Sequence, residues 1–356
     1  MANSAQHRRW ILLLGGVVVG GLLGIAAVVI LIDPFFQYHK PLPYFSYAIE
    51  NQYCQNPGMA KTMDYDNVIL GSSMTTLFET KWFDEGFGGK TLRLTMNASG
   101  GLEQDKLLTI MENRKDLQLS YVFLGMDLAP YRREIGTPAY PLEETYYDEN
   151  PFNDISYWWN QDVLKDYIVK PLLKGKRQGD VMEANTVEYQ ESWYNKDQAR
   201  VTYTPVDKVY ERTDTDAYAE PVTENLRNYI IPHIEQNKDA KFYIFFPPYS
   251  VLYWHDALQK NDFDAQLEEY KVMVKLLAEY PNVAMFFFPV EEIITNLDYY
   301  KDYTHYNKEV CMQMYQWMLQ NEKRITIENV DEVIGGLKEL IENYDYSIWG
   351  LDSYGE

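Results

Sequence analysis

Three residue types that could carry out acyl transfer occur at chemically suggestive places in this chain. Ser73 comes three residues after the apolar run 67–70, so its hydroxyl lies at a predicted strand-to-helix turn, where nucleophilic serines are found. Asp302 precedes His305 by three residues, a spacing that lets the carboxylate hold one imidazole nitrogen while the other faces a serine. A hydroxyl in this position is also an ordinary helix cap, so the serine alone does not identify an enzyme.

Polar residues or glycines follow two further apolar runs. Asn97 and Gly100 come after the run 91–96, where backbone N–H groups freed by a glycine either point at an oxyanion or belong to a plain loop. Asp127 follows the run 121–124 and offers a carboxylate at the same edge of a predicted sheet. In a parallel sheet the carboxyl ends of the strands are the usual place for function, so we treat all three residues as site candidates.

A fourth run, 242–246, leads to Trp254 and His255. An aromatic ring beside a polar group suits sugar recognition, although a role in the core fits the same residues. The chain has five histidines, of which two lie in or next to the N-terminal segment. The candidates for a general base are therefore His233, His255 and His305.

Short apolar runs alternate with helical patterns through most of the chain, which is typical of βαβ units and a parallel sheet. The predicted strands are 67–70, 91–96, 121–124, 242–246 and 283–288. The predicted helices are 77–87, 102–115, 223–237, 264–279, 308–319 and 329–343. The pattern breaks at 127–217, an aromatic-rich stretch that we interpret as an insertion or cap over the carboxyl edge of an α/β domain.

Four motifs at the ends of the predicted strands resemble, in their order and places, those of the SGNH (GDSL-like) hydrolase superfamily. They are Gly71-Ser72-Ser73, Asn97-Ala98-Ser99-Gly100, Gly125-Met126-Asp127 and Asp302-Tyr303-Thr304-His305. The resemblance covers about residues 66–307. It implies a flavodoxin-like three-layer sandwich with a central parallel sheet and chemistry without a cofactor. By position, it also implies that Ser73 is the nucleophile, His305 the general base and Asp302 the acid that orients it.

The resemblance assigns oxyanion donors as well, and the sequence departs from the family pattern at two positions. Gly100 and the N–H of Ser73 would be donors. Ser72 replaces the usual aspartate of the first block, as it does in membrane-anchored relatives resembling the teichoic-acid D-alanylation and polysaccharide O-acetylation proteins. Asp127 stands where an asparagine is expected, and a carboxylate donates to an oxyanion only when it is protonated. The alternatives for Asp127 are that it orients a substrate hydroxyl or is an unrelated cap.

The N-terminal segment predicts a single membrane span. Residues 10–32 form a run of 23 residues without a charge, enough to cross a hydrocarbon core of about 30 Å. The run is too long for the apolar part of a cleaved signal peptide. Because Arg8 and Arg9 precede it, the positive-inside rule places the N-terminus in the cytoplasm and the main domain outside.

Small residues recur at every fourth position of this predicted span. Gly16, Gly20 and Gly24 would form a groove through which a membrane acyl-transfer partner docks. The alternative is that glycine is simply common in membrane spans.

Composition excludes several functions. With 53 acidic and 32 basic residues, the formal charge is −21, which repels a phosphate backbone and argues against nucleic-acid binding. Two cysteines, Cys54 and Cys311, exclude a disulfide scaffold or a thiolate zinc site; they are either two free thiols or one bridge. No spacing of His, Asp and Glu indicates a metal. The 31 tyrosines and 8 tryptophans suit a sugar-binding cleft or a membrane interface, or tyrosine-rich packing alone.

The sequence thus favours an extracytoplasmic serine esterase or O-acyltransferase that acts on a cell-envelope glycan or acylated polymer. A non-catalytic, membrane-anchored glycan-binding or scaffold protein of the same fold is the alternative, and a two-lobed receptor ranks last. The expected organisation is a cytoplasmic tail at 1–9, the span at 10–32, a juxtamembrane stalk at 33–65, an SGNH-like domain at 66–346 with the insertion at 127–217, and a tail at 347–356.

Overall fold

The computed structural model describes residues 2–174, 190–206 and 208–351, and the chain forms two compact units. Of the described residues, one unit contains 2–63 and 143–174, and we call it the N-terminal unit. The other contains 64–142, 190–206 and 208–351, and we call it the sheet unit. Parts of the predicted insertion (175–189 and 207) and of the predicted tail (352–356) lie outside the described residues.

Helices and strands alternate through most of the sheet unit. The strands are β1 Asn67–Gly71, β2 Thr91–Thr95, β3 Tyr121–Gly125, β4 Lys241–Phe246 and β5 Val283–Phe287. The helices are α1 Ala2–Ile32, α2 Gln52–Thr62, α3 Thr80–Phe87, α4 Gly101–Asn113, α5 Ile155–Trp158, α6 Lys170–Lys174, α7 Lys196–Thr202, α8 Ala219–Tyr229, α9 Ile231–Gln236, α10 Val251–Gln259, α11 Phe263–Leu277, α12 Glu291–Ile294, α13 Lys308–Gln320 and α14 Val330–Asn343. A π-helical stretch, Val163–Val169, leads directly into α6. Of these helices, α1, α2, α5 and α6 belong to the N-terminal unit and the others to the sheet unit.

The five strands form one parallel sheet in the order β2-β1-β3-β4-β5. Leu70 of β1 pairs with Leu94 of β2 on one side and with Leu124 of β3 on the other. Every residue of β1 and β2 is buried, as expected for strands with helices on the faces of the sheet. The predicted α/β class with a parallel sheet is confirmed, and the carboxyl ends of β1, β2 and β3 meet at one edge.

One predicted helix is divided in two. The sequence predicts a helix over 223–237, but α8 ends at Tyr229 and α9 begins at Ile231. Pro232 lies in the first turn of α9, where its missing N–H costs nothing, whereas inside a continuous helix its ring would clash with the preceding turn. The break therefore follows from the proline.

The predicted stalk at 33–65 is mostly part of the folded N-terminal unit, where it contributes α2. Asp33 is fully buried, and its carboxylate accepts the backbone N–H groups of Gln37, Tyr38 and His39 at 2.9, 2.7 and 3.0 Å. Such side-chain bonds leave no periodic signal in the sequence. The predicted insertion at 127–217 also differs from expectation, since its residues 143–174 belong to the N-terminal unit and the rest of its described part to the sheet unit.

One helix of the described residues, Gln6–Ile32 within α1, is long and apolar enough to cross a membrane. Its C-terminal end joins a cluster of buried side chains in the N-terminal unit, formed by Val29, Phe35, Tyr146, Tyr157, Val163 and Ile168. The two cysteines are free thiols, Cys54 partly exposed and Cys311 buried.

Candidate active site

Ser73 begins a single turn of 3-10 helix that follows β1. The hydroxyl of Ser72 caps this turn by accepting the N–H of Met74 at 3.2 Å. Gly71 has φ +150°, and a side chain there would place its Cβ 2.5 Å from the methyl group of Thr75, so only glycine fits the turn. Strand, glycine and cap together fix the Ser73 side chain at the carboxyl end of β1, the strand between β2 and β3.

His305 lies in a short hairpin near the C-terminus of the sheet unit. Tyr300 and Tyr306 form an antiparallel bridge, and the N–H of Lys301 donates to the carbonyl of His305 at 3.1 Å. The hydroxyl of Tyr306 donates to the backbone carbonyl of Met74 at 2.6 Å. The buried Tyr306 thereby joins the histidine hairpin directly to the serine turn, although more than 200 residues separate them in sequence.

The predicted serine, histidine and aspartate meet in one hydrogen-bonded line. Ser73 Oγ is 2.8 Å from His305 Nε2, and His305 Nδ1 is 2.8 Å from Asp302 Oδ2 and 3.0 Å from Oδ1. The backbone N–H of His305 also donates to Asp302 at 2.7 Å. This is the geometry of a nucleophile, a base and the acid that orients the base.

The charge on Asp302 determines the tautomer of His305. Burial alone would raise the pKa of Asp302, but hydrogen bonds from the His305 ring and from the backbone N–H groups of His305 and Thr304 outweigh it and hold that pKa well below its usual range. An ionised carboxylate can only accept, so Nδ1 of His305 carries the proton. Its Nε2 is then free to accept the proton of the Ser73 hydroxyl.

A cavity of about 370 Å³ opens beside the serine and the histidine. Its lining residues are Ser73, Met74, Thr76, Leu77, Asn97, Ala98, Tyr140, Tyr194, Lys301, His305 and Tyr306. Among the described residues the lining contains no carboxylate, although the chain carries a formal charge of −21. Lys301 supplies a cation on the wall, and it forms no ion pair with any residue that the structure describes. The wall thus combines a serine, a histidine and a lysine with three tyrosines and a largely apolar surface.

Asp127 and Ser72 lie beneath the site rather than in the cavity. Asp127 is 5% exposed, and its carboxylate accepts the hydroxyl of Tyr249 at 2.5 Å and forms a second hydrogen bond with Ser72. Burial raises the pKa of Asp127 above its usual range, and the hydrogen bonds with Ser72 and Tyr249 lessen this shift without reversing it. In this arrangement Asp127 is an acceptor that holds the cap of the serine turn.

Gly100 lies at the start of α4, where its N–H is already engaged. That N–H donates to the carboxylate of Glu103 at 2.8 Å, so it does not serve as the expected oxyanion donor in this conformation. A side chain at Gly100 would come within 2.6 Å of the carbonyl of Pro130, which explains the glycine as a packing requirement. Of the residues predicted in this loop, Asn97 is exposed and lines the cavity with Ser73.

Trp254 and His255 do not line the cavity, and of the two roles that the sequence left open for them, their burial fits the one in the core. Both lie in α10 and are 0% and 2% exposed. The Nδ1 of His255 is 2.7 Å from the hydroxyl of Tyr203, and its ring contacts Tyr346 at 4.6 Å between centroids. The sequence places both residues after the end of a predicted strand. In the structure they lie on the buried side of α10, so their side chains belong to the core.

The lysine and the three tyrosines that line the cavity were not predicted from the sequence. Lys301 and Tyr306 flank the Asp302-to-His305 segment, so their closeness in sequence was a usable signal. Tyr140 and Tyr194 belong to the aromatic-rich stretch predicted to cap the sheet, yet nothing in their spacing distinguishes them from its other aromatic residues.

Comparison with known proteins adds no assignment. No protein-family model matches the chain, and no curated protein matches it significantly in sequence. Among the described residues, no group of three or more His, Cys, Asp and Glu side chains is placed to hold a metal ion. The function is therefore argued from the site itself.

Proposed function

We propose that this protein is a membrane-anchored serine esterase or O-acyltransferase that acts outside the cytoplasm on a cell-envelope glycan or acylated polymer. The observation that carries the proposal is the line Ser73, His305 and Asp302, with 2.8 Å from serine to histidine and 2.8 Å from histidine to aspartate, at the wall of a cavity.

The first half of the reaction is acylation of the serine. Ser73 Oγ attacks the ester carbonyl while His305 Nε2 takes its proton, and the ionised Asp302 stabilises the imidazolium that forms. Collapse of the tetrahedral intermediate breaks the ester bond, and His305 returns the proton to the leaving alkoxide. Because the N–H of Met74 is engaged by the Ser72 cap, the N–H of Ser73 is the backbone donor of this turn that we assign to the oxyanion.

The second half of the reaction uses the same residues in reverse. His305 removes a proton from water or from a glycan hydroxyl, and the resulting oxygen nucleophile attacks the acyl-serine carbonyl, which releases Ser73. A cavity with tyrosines and Lys301 on its wall has room for an acceptor beside the serine. Water as acceptor gives an esterase, and a sugar hydroxyl gives an acyltransferase.

The proposed location depends on α1. With Arg8 and Arg9 on the cytoplasmic side, the span leaves the sheet unit outside the cytoplasm, next to envelope polymers. Gly16, Gly20 and Gly24 have open space around their Cα atoms, which leaves room for a membrane acyl-transfer partner.

We further propose that the sheet unit has the flavodoxin-like three-layer arrangement of SGNH hydrolases. The strand order β2-β1-β3-β4-β5 supports this proposal, because it is the order of doubly wound sheets of the flavodoxin type. The positions of Ser73 after β1 and of the Asp302-to-His305 segment after β5 support it too.

A second candidate function is a glycan-binding or scaffold protein that keeps the fold without the chemistry. Two observations favour it: the N–H of Gly100 is occupied by Glu103, and Asp127 accepts hydrogen bonds where an oxyanion donor is expected. Both reduce the number of donors available to stabilise a tetrahedral intermediate.

Trapping of the acyl-enzyme distinguishes the two functions. We expect full-length protein in detergent to release nitrophenol from 4-nitrophenyl acetate and to carry an acetyl group on Ser73, detected by peptide mass spectrometry after an acid quench. Envelope oligosaccharides that accelerate nitrophenol release and become acetylated would establish transfer. A folded protein that binds the oligosaccharides but never acquires an acyl group on Ser73 would support the second candidate instead.

A further inference from the structure

The part of α1 whose side chains are all exposed is shorter than a membrane span. Every residue from Gln6 to Ile25 is exposed, and the first buried side chain of the helix is Ala26. The charge-free exposed stretch from Trp10 to Ile25 has 16 residues and is about 24 Å long. A hydrocarbon core is about 30 Å thick, so the span must also include the turns after Ile25, where Val28 and Leu31 are exposed but Val29 is buried against protein.

One side of the remaining turns of α1 is covered by residues 155–169 of the same unit. Val163 and Ile168 belong to the buried cluster that includes Val29. The indole N–H of Trp159 donates to the carbonyl of Leu22 at 2.8 Å, beside a part of α1 whose side chains are otherwise bare. The segment therefore lies alongside α1 from the level of Leu22 to that of Val29, within the length that a span of about 30 Å must include.

The segment is firmly attached at this level. The hydroxyl of Tyr157 donates to the buried carboxylate of Asp33 at 2.8 Å and accepts the N–H of Phe35 at 3.0 Å. Because Asp33 directly follows α1, these bonds tie the segment to the end of the helix. Movement of the segment away from the helix would leave this buried carboxylate without one of its donors.

The outward face of the segment is apolar. Val169, Leu172 and Leu173 have the i, i+3, i+4 spacing of one helix face and are 41%, 61% and 81% exposed. Ile155 and Trp159 are also exposed, four residues apart. Exposed lysines accompany them, Lys165 and Lys170, the latter paired with Asp166 at 2.5 Å. Apolar and aromatic side chains with lysines are the composition of segments that lie in a membrane interface.

We propose that residues 155–173 are a second membrane contact, which lies in the interfacial layer of the bilayer on the side where α1 ends. This inference rests on the membrane anchoring in the proposed function. The occupant of the face is lipid, because the face continues the bare surface of α1 at the depth that a bilayer of ordinary thickness must reach. The contact of this segment with the interface then fixes the depth of α1 in the bilayer.

Fluorescence quenching in nanodiscs tests this contact in the full-length chain. A Cys54→Ser background removes the accessible thiol, and an NBD label is placed at Leu173→Cys or, as a control for the span, at Val17→Cys. Phosphatidylcholine and phosphatidylglycerol nanodiscs carry a doxyl quencher either near the headgroup or deep in the acyl chain. We expect the label at 173 to be quenched at least twofold more by the shallow quencher than by the deep one, and the label at 17 to show the reverse.

Each other outcome has a distinct meaning. A label at 173 that no lipid quenches and that iodide reaches from water overturns the proposal while α1 still spans. A label at 173 that is shielded from both lipid and iodide shows that protein covers the face, which also overturns it. If the label at 17 escapes the deep quencher, the anchoring itself is wrong. Reaction of Ser73 with a fluorophosphonate in the same sample reports on the catalytic proposal separately.

Discussion

His305 and His233, in two regions of the sheet unit, each lie between two polar side chains, and they differ in the hydrogen-bond partner of Nε2. His305 contacts Asp302 through Nδ1 and the hydroxyl of Ser73 through Nε2, and its side chain is 32% exposed at a cavity. His233 is buried, and carboxylates occupy both nitrogens: Glu112 at 2.7 Å from Nδ1 and Asp105 at 3.0 Å from Nε2.

The difference shows that a carboxylate beside a histidine is not by itself a sign of catalysis. Burial alone would lower the pKa of His233, but its two carboxylates outweigh burial and raise that pKa to about 9. At neutral pH the His233 ring therefore holds both protons and has no lone pair to accept a third. His305 has a single carboxylate, so Nε2 keeps a lone pair for the serine.

The largest expected effect comes from removing the His305 ring. We expect His305→Gln to reduce the rate of ester cleavage by about 10⁴-fold, because the serine loses its base. The matched change His233→Gln should leave this rate within about twofold. Steady-state assays of both variants with 4-nitrophenyl acetate make the comparison, and equal losses in the two would remove the distinction between the histidines.

Removal of the charge that orients His305 has the next largest effect. Asp302→Asn keeps the size of the side chain but allows it to donate, which favours the tautomer with its proton on Nε2. We expect a loss of about 10³-fold in kcat with a small change in KM. Asp105→Asn, the corresponding change beside His233, serves as the control. A fall confined to KM would show that Asp302 contributes to binding instead.

Asp127 is predicted to have a smaller effect. In Asp127→Asn the amide oxygen still accepts from Tyr249, but the amide nitrogen cannot accept from Ser72, so the cap of the serine turn is weakened. We expect about a fivefold lower rate, which corresponds to about 1 kcal/mol. Tyr249→Phe removes the other hydrogen bond as a parallel test. A faster Asp127→Asn enzyme would instead identify this position as an impaired oxyanion donor.

His233 is predicted to affect stability and its dependence on pH while leaving activity unchanged. Its pKa is raised above the unfolded value of about 6.5. The charged ring therefore contributes fully to the free energy of unfolding below about pH 6.5, and this contribution is lost as the pH rises through about 9. We expect His233→Gln to lower the free energy of unfolding by about 2 kcal/mol at pH 6 and by much less at pH 10. Urea denaturation at the two pH values measures this, and an equal deficit at both would contradict the charged state of His233.

The strands and most helices of the sheet unit were predictable because their side chains repeat with a regular period. Strand residues such as Val68 and Leu70 form short apolar runs, and the helical patterns between these runs favour buried parallel strands. By contrast, α2 has the sequence QYCQNPGMAKT, with a proline inside and no apolar stripe, and tertiary contacts bury it. The sequence therefore carried no signal for that helix.

The site was predictable where chemistry depends on order along the chain, and not where it depends on local hydrogen bonds. Ser73, Asp302 and His305 follow strands in a recognisable order. The capture of the Gly100 N–H by Glu103 is a local bond with the spacing of a helix capping box, which does not distinguish a functional loop from an ordinary helix start. The hydrogen bond from Tyr249 to Asp127 joins segments 122 residues apart, so no spacing in the sequence indicates it.

Labelling with a fluorophosphonate probe tests the central claim most directly. The probe reacts only with an activated serine, and full-length protein in detergent can be analysed by peptide mapping. The account predicts one adduct, on Ser73, that is absent in Ser73→Ala, strongly slowed in His305→Gln and formed at the parent rate in His233→Gln. A folded parent protein that remains unlabelled, or an adduct on another serine, would contradict the account and leave His305 a structural residue like His233.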